Sequence, residues 1–207
     1  MKKLIIFTLA ILSYHFTHAQ IAIGGKAGVN VSNVIANQSS SNDQSKIGFN
    51  VGAVGSIGIG SSGKLFGVGE LNFNQKGGTN KVSGTNNLGY IELAALLRYT
   101  IGFGEAFPLK LFLNAGPYLG IKTGRIADST NYNSNVAEFG LGAGGGLMIP
   151  VGPGNLFVEA RYSVGLTNLV TQTLERNGVT SFSIGYLYTI KEKSTETQDK
   201  GVNGGFE

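Results

Sequence analysis

The chain has 207 residues, of which only 14% are charged, and its formal net charge is +4. Ordinary soluble domains contain roughly 25% charged residues, so this chain has few charges with which to cover a solvent-exposed surface. The small positive charge is spread without a basic cluster, which argues against a nucleic-acid partner, and no apolar run reaches the roughly eighteen residues of a membrane-spanning helix.

The N-terminus has the pattern of a secretory signal peptide. Two lysines precede an apolar run over residues 4–12, and a Thr-His-Ala sequence ending at Ala19 suits a signal peptidase. We therefore expect a signal peptide over residues 1–19 and a mature chain that begins at Gln20. The alternative is a buried first strand or helix.

Two reactive residue types are missing from the expected mature chain. The sequence has no cysteine, which excludes disulfides, thiol chemistry and an N-terminal lipid anchor on cysteine. Both histidines, His15 and His18, lie in the predicted signal peptide. The mature chain thus lacks the residue needed for Ser–His hydrolysis or His-ligated zinc, and we expect a non-enzymatic protein without cofactor or metal.

From Ile21 onward, apolar residues alternate with polar or small residues at a period of two, which is typical of β-strands. Eight such segments of about ten residues follow one another, which is the length that crosses a bilayer when a strand is tilted. In chain order they are 21–31, 47–59, a less regular third segment ending at 74, 87–103, 109–122, 137–149, 156–166 and 181–190.

The fourth segment distinguishes the period of a strand from that of a helix. Residues 87–103 read "NLGYIELAALLRYTIGF", which looks helical but contains Glu92 and Arg98. On a helix these two side chains would lie roughly 120° apart, whereas on a strand their even spacing places both on one face. The strand interpretation puts Ile91, Leu93 and Leu97 on the opposite face.

The connections between the segments alternate in length. Long connections are expected over 32–45, 77–87, 123–135 and 167–179, and shorter ones over 60–63, 102–108 and 150–154. Antiparallel membrane barrels have this rhythm, with long external loops and tight periplasmic turns. The sequence therefore predicts an all-β fold, an eight-stranded antiparallel up-and-down transmembrane β-barrel over residues 20–190, followed by a polar periplasmic C-terminal tail over 191–207.

Alternation alone also fits a soluble periplasmic ligand-binding barrel with its apolar face inward. Two features favour lipid around the apolar face. The polar face is too rich in glycine for exposed strands but suits a crowded lumen, because an eight-stranded barrel has little interior space. Tyrosines at the ends of the apolar face are expected to form an interfacial girdle; they are Tyr99, Tyr162, Tyr186 and Tyr188.

The polar face carries nearly balanced charges, which we expect to form a lumen charge network. The predicted members are Lys26, Glu70, Glu92, Arg98, Lys110, Lys122, Glu138, Glu159 and Arg161. Buried charges are tolerated when they are paired, so the balance favours a structural network over an ion path or a catalytic pair of carboxylates.

Two glycine-rich stretches match nucleotide-binding motifs without their structural context. Residues 58–64, "GIGSSGK", fit the start of a phosphate-binding loop, but Leu65 replaces the Ser or Thr that would hold magnesium and a strand follows. Residues 140–145, "GLGAGG", have dinucleotide-fingerprint spacing inside a predicted strand. We interpret the first as a turn and the second as small lumen-facing residues.

Several segments together resemble the PorT-like outer-membrane β-barrel proteins of Gram-negative bacteria, often labelled "porin family". The segments are "KAGVNVSNV" (26–34), "GELNFNQKGG" (69–78), "YIELAALLRY" (90–99), "NAGPYLG" (114–120), "VEARYSVGLTNL" (158–169) and "FSIGYLY" (182–188). The resemblance implies an eight-stranded outer-membrane barrel, and the family takes its name from a member tied to a secretion pathway. The chain departs from the family at Ala94, where proline is frequent, and in its polar tail.

The expected protein is therefore exported to the cell outer membrane. Its leading interpretation is a scaffold for surface loops or a partner, with a narrow charge-filled lumen; a small passive pore and an accessory component of a secretion apparatus are the membrane-bound alternatives. The expected partners are the outer-membrane lipid bilayer, the barrel-assembly machinery during biogenesis and a secretion-system protein.

Overall fold

The computed structural model describes residues 20–36, 43–44, 46–80, 84–104, 107–127, 137–167 and 175–191. The predicted signal peptide, the tail from residue 192 and parts of the predicted long connections lie outside these described residues. In the part of the chain that is described, no helix is long and apolar enough to cross a membrane.

The described residues form eight long strands and one short one. The strands are β1 (Ile21–Ala36), β2 (Asp43–Gln44), β3 (Lys46–Ile59), β4 (Leu65–Asn80), β5 (Gly84–Gly102), β6 (Lys110–Ala127), β7 (Ala137–Val151), β8 (Gly154–Gly165) and β9 (Glu175–Lys191). All eight predicted segments coincide with a long strand, so the period-two interpretation is confirmed, including that of residues 87–103.

The sheet closes on itself. Its strand order is β2-β4-β3-β1-β9-β8-β7-β6-β5, and an additional pairing between β4 and β5 joins the two sides. Each long strand pairs antiparallel with its neighbours, and the first and last strands pair along their whole length, from Ile21 opposite Lys191 to Ala36 opposite Glu175. The predicted fold class, an eight-stranded antiparallel up-and-down barrel, is confirmed.

Strands extend into all four predicted long connections, and the prediction for residues 77–87 is wrong. Residues 77–87 were expected to form a long loop, but β4 continues to Asn80, β5 begins at Gly84, and the two strands pair in register up to these residues. Glycine, asparagine and threonine favour turns locally, yet hydrogen bonding to the neighbouring strand overrides that preference here. The β4–β5 hairpin therefore extends further than the hydrophobic pattern indicates.

Successive residues of the strands face opposite sides of the barrel wall. Along β5, burial alternates without interruption from Tyr90, which is buried, to Thr100. Large apolar side chains point outward, and Leu93 on β5 is 61% exposed while Ile47 on β3 is 74% exposed. Such a surface suits lipid because hydrocarbon imposes no cost on exposed apolar groups.

The short connections at one end of the barrel are tight turns, and we call this end the turn end. Gly60 and Gly63 have φ angles of +69° and +68°, which lie in the left-handed region that favours glycine. These residues lie in the "GIGSSGK" stretch, which forms the turn between β3 and β4. The strand that follows removes the helix N-terminus on which a phosphate-binding loop depends.

Ten apolar residues on the inner face form a buried cluster. They are Ala22, Val54, Val68, Ala94, Leu96, Phe112, Tyr118, Met148, Phe157 and Leu187. The rings of Phe112 and Phe157 meet edge to face with centroids 6.3 Å apart. Gly146 allows a close approach on both sides, because a Cβ atom at this position would meet the backbone carbonyl oxygen of Val158 and lie 2.6 Å from the Phe112 ring.

Candidate functional site: the charged lumen

Four charged residues from three strands meet in the middle of the lumen, and we call them the central cluster: Lys26, Glu70, Glu159 and Arg161. Arg161 binds Glu70 with both arms, since Nη1 lies 2.6 Å from Oε2 and Nη2 lies 2.7 Å from Oε1. Arg161 Nη2 also lies 2.7 Å from Glu159 Oε1, and Lys26 Nζ lies 2.7 Å from Glu70 Oε2. Bidentate contacts of this kind are the strongest pairings of charged side chains.

Neutral amides complete the hydrogen bonding of the two central carboxylates. Asn72 Nδ2 donates to Glu70 Oε2 at 3.0 Å, and Asn114 Nδ2 donates to Glu159 Oε2 at 2.8 Å. Both glutamates are at most 5% exposed. Their lone pairs are therefore occupied by the lumen wall itself, which holds the charges in fixed positions.

A second group of polar side chains lies nearer the end of the barrel that is opposite the turn end. It is centred on Lys76 of β4, and we call it the loop-end cluster: Lys76, Glu92, Glu138 and Tyr118. The Lys76 ammonium pairs with Glu92 and lies 2.8 Å from Glu138 Oε1. Tyr118 donates to the same Glu138 oxygen at 2.6 Å. The ammonium also lies 4.8 Å from the centroid of the Tyr118 ring, a favourable cation–π distance.

A chain of neutral side chains lies on the lumen wall between the two clusters. Ser183 donates to Asn50 Oδ1 at 3.0 Å, Asn50 donates to Asn30 Oδ1 at 2.8 Å, and Asn30 donates to Asn74 Oδ1 at 3.2 Å. Asn74 then donates to Glu92 of the loop-end cluster at 2.5 Å. Polar side chains from four strands thus fill the section of lumen that separates the two charge clusters.

The buried charges balance. The central cluster with Arg98 holds three cations and two carboxylates, and the loop-end cluster holds one cation and two carboxylates. The net charge of these eight side chains is therefore zero. The cavity between them measures only about 30 Å³, which suffices for very few water molecules. Paired charges and close packing therefore fill this part of the lumen.

Most residues predicted for the lumen charge network lie in it. Seven are buried, namely Lys26, Glu70, Glu92, Arg98, Glu138, Glu159 and Arg161. Glu92 and Arg98 share a face but not a partner, because Glu92 pairs with Lys76 whereas Arg98 approaches Glu159.

Two predicted members lie elsewhere. Lys110 is exposed at the first position of β6, at the barrel rim, where it lines a cavity at the turn end and belongs to neither charge cluster. Lys122 is half-buried and lies opposite Tyr90 on β5.

Lys76, which organises the loop-end cluster, is not among the predicted members of the network. Lys76 is 2% exposed, and it lies between the end of the predicted third segment at residue 74 and the predicted connection that begins at residue 77. The sequence does place Lys76 on the inner face, because the period-two pattern of polar residues runs through Asn72, Asn74 and Lys76.

Each of the four buried carboxylates is engaged by a buried cation. Among the described residues, no group of three or more His, Cys, Asp or Glu side chains could hold a metal ion. These pairings neutralise the buried carboxylates within the lumen.

A closed antiparallel barrel with an apolar outer face and a charged interior defines the class of transmembrane β-barrels. A comparison with protein-family models agrees with this class, since residues 16–171 match the family described as "Outer membrane protein beta-barrel domain". The chain belongs to this family, whose setting is the lipid bilayer of the outer membrane. Among curated proteins, no sequence gives a significant match.

Solved structures of similar fold are outer-membrane barrels. Neisserial surface protein A is 16% identical with a TM-score of 0.52, and the match covers 79% of this chain and 95% of that one. OprG from Pseudomonas aeruginosa is 12% identical with a TM-score of 0.51, and the match covers 84% of this chain and 97% of that one. At such low identities the likeness shows the fold alone.

Proposed function

We propose that this barrel is a non-enzymatic, closed scaffold of the outer membrane that presents its loops or binds a partner while its lumen conducts no solute. The observation that carries the proposal is the filled interior, in which each of four buried acids is engaged by a buried base. Opening a path would require breaking buried ion pairs, which costs roughly 3–5 kcal/mol when one partner of such a pair is removed.

The apolar part of the interior supports the same function. Phe112 and Phe157 are at most 1% exposed and lie on the inner face between the central cluster and the turn end. Arg98 lies against them, with its Cζ atom 4.4 Å from the centroid of the Phe112 ring. An ion passing through would have to leave water and cross this layer, which is unfavourable at low dielectric.

The other interpretations have less support. A passive pore needs a continuous aqueous path, whereas the cavity within the charged section is about 30 Å³. A soluble ligand-binding barrel needs its apolar face inward, whereas side chains such as Leu93, Leu113 and Ile184 are more than half exposed on the outer face.

Solute efflux from vesicles tests the closed scaffold. The mature chain is refolded into lipid vesicles loaded with a small fluorescent anion, and dye release is compared with that from protein-free vesicles. We expect the two release rates to agree within error for the native sequence. Release at the rate of vesicles containing a general porin would contradict the proposal.

A matched pair of variants shows whether the assay senses the lumen. Phe157→Ala removes an inward ring and should raise dye release, whereas Leu113→Ala removes an outward side chain of the adjacent wall and should leave release unchanged. If Phe157→Ala folds normally and does not raise dye release, the charged clusters alone close the lumen. A variant that also replaces Arg161 then tests the role of these clusters.

The resemblance of the strand segments to PorT-like proteins favours a second candidate, an accessory component of a secretion apparatus. A barrel that does not conduct is suited to a structural role beside other membrane proteins. Affinity purification of the tagged chain from detergent-solubilised outer membrane should then retain a stoichiometric partner besides the barrel-assembly machinery. Recovery of the barrel alone, under mild detergent and after cross-linking, would contradict this candidate.

Export and processing form part of the proposal. We propose cleavage after Ala19 and a periplasmic location for the polar tail, residues 191–207. N-terminal sequencing of the membrane-extracted protein should begin at Gln20, and protease added to intact cells should leave a C-terminal epitope uncut. A mature N-terminus at Met1, or loss of the epitope from intact cells, would contradict the corresponding assignment.

A further inference from the structure

Arg98 is the one buried cation of the central region whose guanidinium is left without a hydrogen bond among the described residues. Its side chain is 1% exposed, and its Nε, Nη1 and Nη2 atoms have no hydrogen-bond partner there. The nearest carboxylate oxygen, Glu159 Oε2, is 3.6 Å from Nη2. That oxygen already accepts from Asn114, so Glu159 is shared between several donors.

Arg98 therefore supplies the surplus positive charge of its section of the lumen. Glu70 and Glu159 are matched by Lys26 and Arg161 through contacts of 2.6–2.7 Å. The guanidinium of Arg98 adds a third cation on the turn-end side of these pairs. A buried charge without a full set of partners is costly, which is the electrostatic condition that a bound anion would relieve.

A cavity of about 140 Å³ lies on the turn-end side of Arg98. Its polar lining includes Arg98, Lys64, Lys110, Ser56, Thr100 and Asn155, and none of the described residues lining it is acidic. Lys64 and Lys110 are exposed at the mouth, while Arg98 is covered at the inner end. The volume exceeds the roughly 10–15 Å³ that a single water needs by about tenfold.

The mouth of this cavity is fixed by backbone contacts. Lys64 lies in the turn after β3, and its carbonyl oxygen accepts a hydrogen bond from the Thr100 amide of β5 at 2.7 Å. Lys110 begins β6, which pairs with β5 at Gly102. Two lysines on separate elements are thereby held around one opening, with the charge of Arg98 behind them.

We propose that this turn-end cavity binds a phosphate-type oxyanion. Lys64 and Lys110 contact the anion at the mouth, hydroxyl and amide groups such as Thr100 and Asn155 donate or accept around it, and Arg98 attracts it from the inner end. Three cations, with no acid among the described lining residues, suit the double negative charge of a phosphate monoester or of inorganic phosphate. The site is independent of whether the lumen conducts.

Calorimetric titration of the refolded chain in neutral detergent at low ionic strength tests the site, with inorganic phosphate and a short-chain phosphatidic acid as separate ligands. We expect one saturable binding event for at least one of them. The double variant Lys64→Gln/Lys110→Gln should weaken it by about tenfold, the sum of two partly exposed charge contacts. If only the lipid binds, the oxyanion that the cavity recognises is a lipid headgroup. If free phosphate binds, the cavity recognises a soluble oxyanion.

Matched variants separate a site from general charge attraction. Lys46→Gln/Lys122→Gln removes two lysines from the other half of the barrel and should leave the dissociation constant unchanged. Arg98→Met should weaken binding and Arg98→Lys should largely restore it; if Arg98→Met fails to fold, the lysine variants still decide. No binding of either ligand, or an equal loss in the two double variants, would overturn the proposal.

Discussion

Replacing Glu70 by glutamine tests the central cluster most sharply, because the change keeps the shape of the side chain and removes its charge. Glu70 accepts two bonds from Arg161 at 2.6 and 2.7 Å and one from Lys26 at 2.7 Å, and it is 2% exposed. Glu70→Gln leaves both cations buried with Glu159 as their shared carboxylate. Removing one partner of a buried pair costs roughly 3–5 kcal/mol, and we expect an effect of this size on the free energy of unfolding.

The measurement is urea-induced unfolding of the refolded barrel in micelles, followed by the fraction that migrates as the folded, heat-modifiable species on a gel. Lys110→Gln, an exposed change at the rim, is the control and should alter the unfolding free energy by less than about 0.5 kcal/mol. The double variant Glu70→Gln/Arg161→Met removes one charge of each sign, so it should be less destabilised than the sum of its single variants by at least about 1 kcal/mol. A Glu70→Gln effect no larger than that of Lys110→Gln, or strict additivity in the double variant, would refute the pairing.

Further changes test the other parts of the barrel by the same unfolding measurement. Leu93→Arg puts a charge on the outer face near the middle of β5 and should cost about 2–4 kcal/mol in a bilayer, whereas Ala95→Leu on the same face should be mild; a neutral Leu93→Arg would contradict the assignment of the lipid face. Gly146→Ala would press a methyl group against the backbone carbonyl oxygen of Val158 and the Phe112 ring and should cost about 1–3 kcal/mol, so an unchanged stability would contradict the close approach of the strands here. Lys76→Met leaves two buried carboxylates without their cation and should cost roughly 3–5 kcal/mol; a loss below about 1 kcal/mol would argue against the loop-end cluster.

The strands and their faces could be predicted because a strand alternates its side chains strictly. Glu92 and Arg98 share a face through even spacing alone, and no tertiary information is needed to place Leu93 on the other side. At strand ends, the hydrophobic pattern stops before the strand pairing does. Lys76 lies beyond the segment that the hydrophobic pattern marks, although pairing with β5 continues past it.

The partners inside the lumen could not be predicted from the pattern. Arg161 meets Glu70 across 91 positions of sequence, and this contact depends on how far the strands are staggered around the closed barrel. Period-two alternation fixes the face of a residue but not its height along the barrel axis. For the same reason, the pattern could not show that Glu92 pairs with Lys76 rather than with Arg98.

The inward aromatic residues were also outside the reach of the sequence. Phe112 and Phe157 interrupt the polar face, and a pattern that assigns apolar residues to the outer face does not predict aromatic residues on the inner one. In the structure, glycines on neighbouring strands leave space for these rings, as Gly146 does for Phe112. Gly146 and Gly185 on the inner face thus lie where an aromatic ring from a neighbouring strand packs against the wall.

Single-channel recording tests the closed lumen most directly. The native, refolded chain is inserted into a planar lipid bilayer, its insertion is verified by the heat-modifiable gel shift of the same preparation, and current is recorded over a range of voltages. The paired charges and the apolar layer predict no discrete conductance steps for the native chain. Reproducible steps whose size changes with Arg161→Met, and not with the outward Leu113→Ala, would contradict the closed-scaffold account.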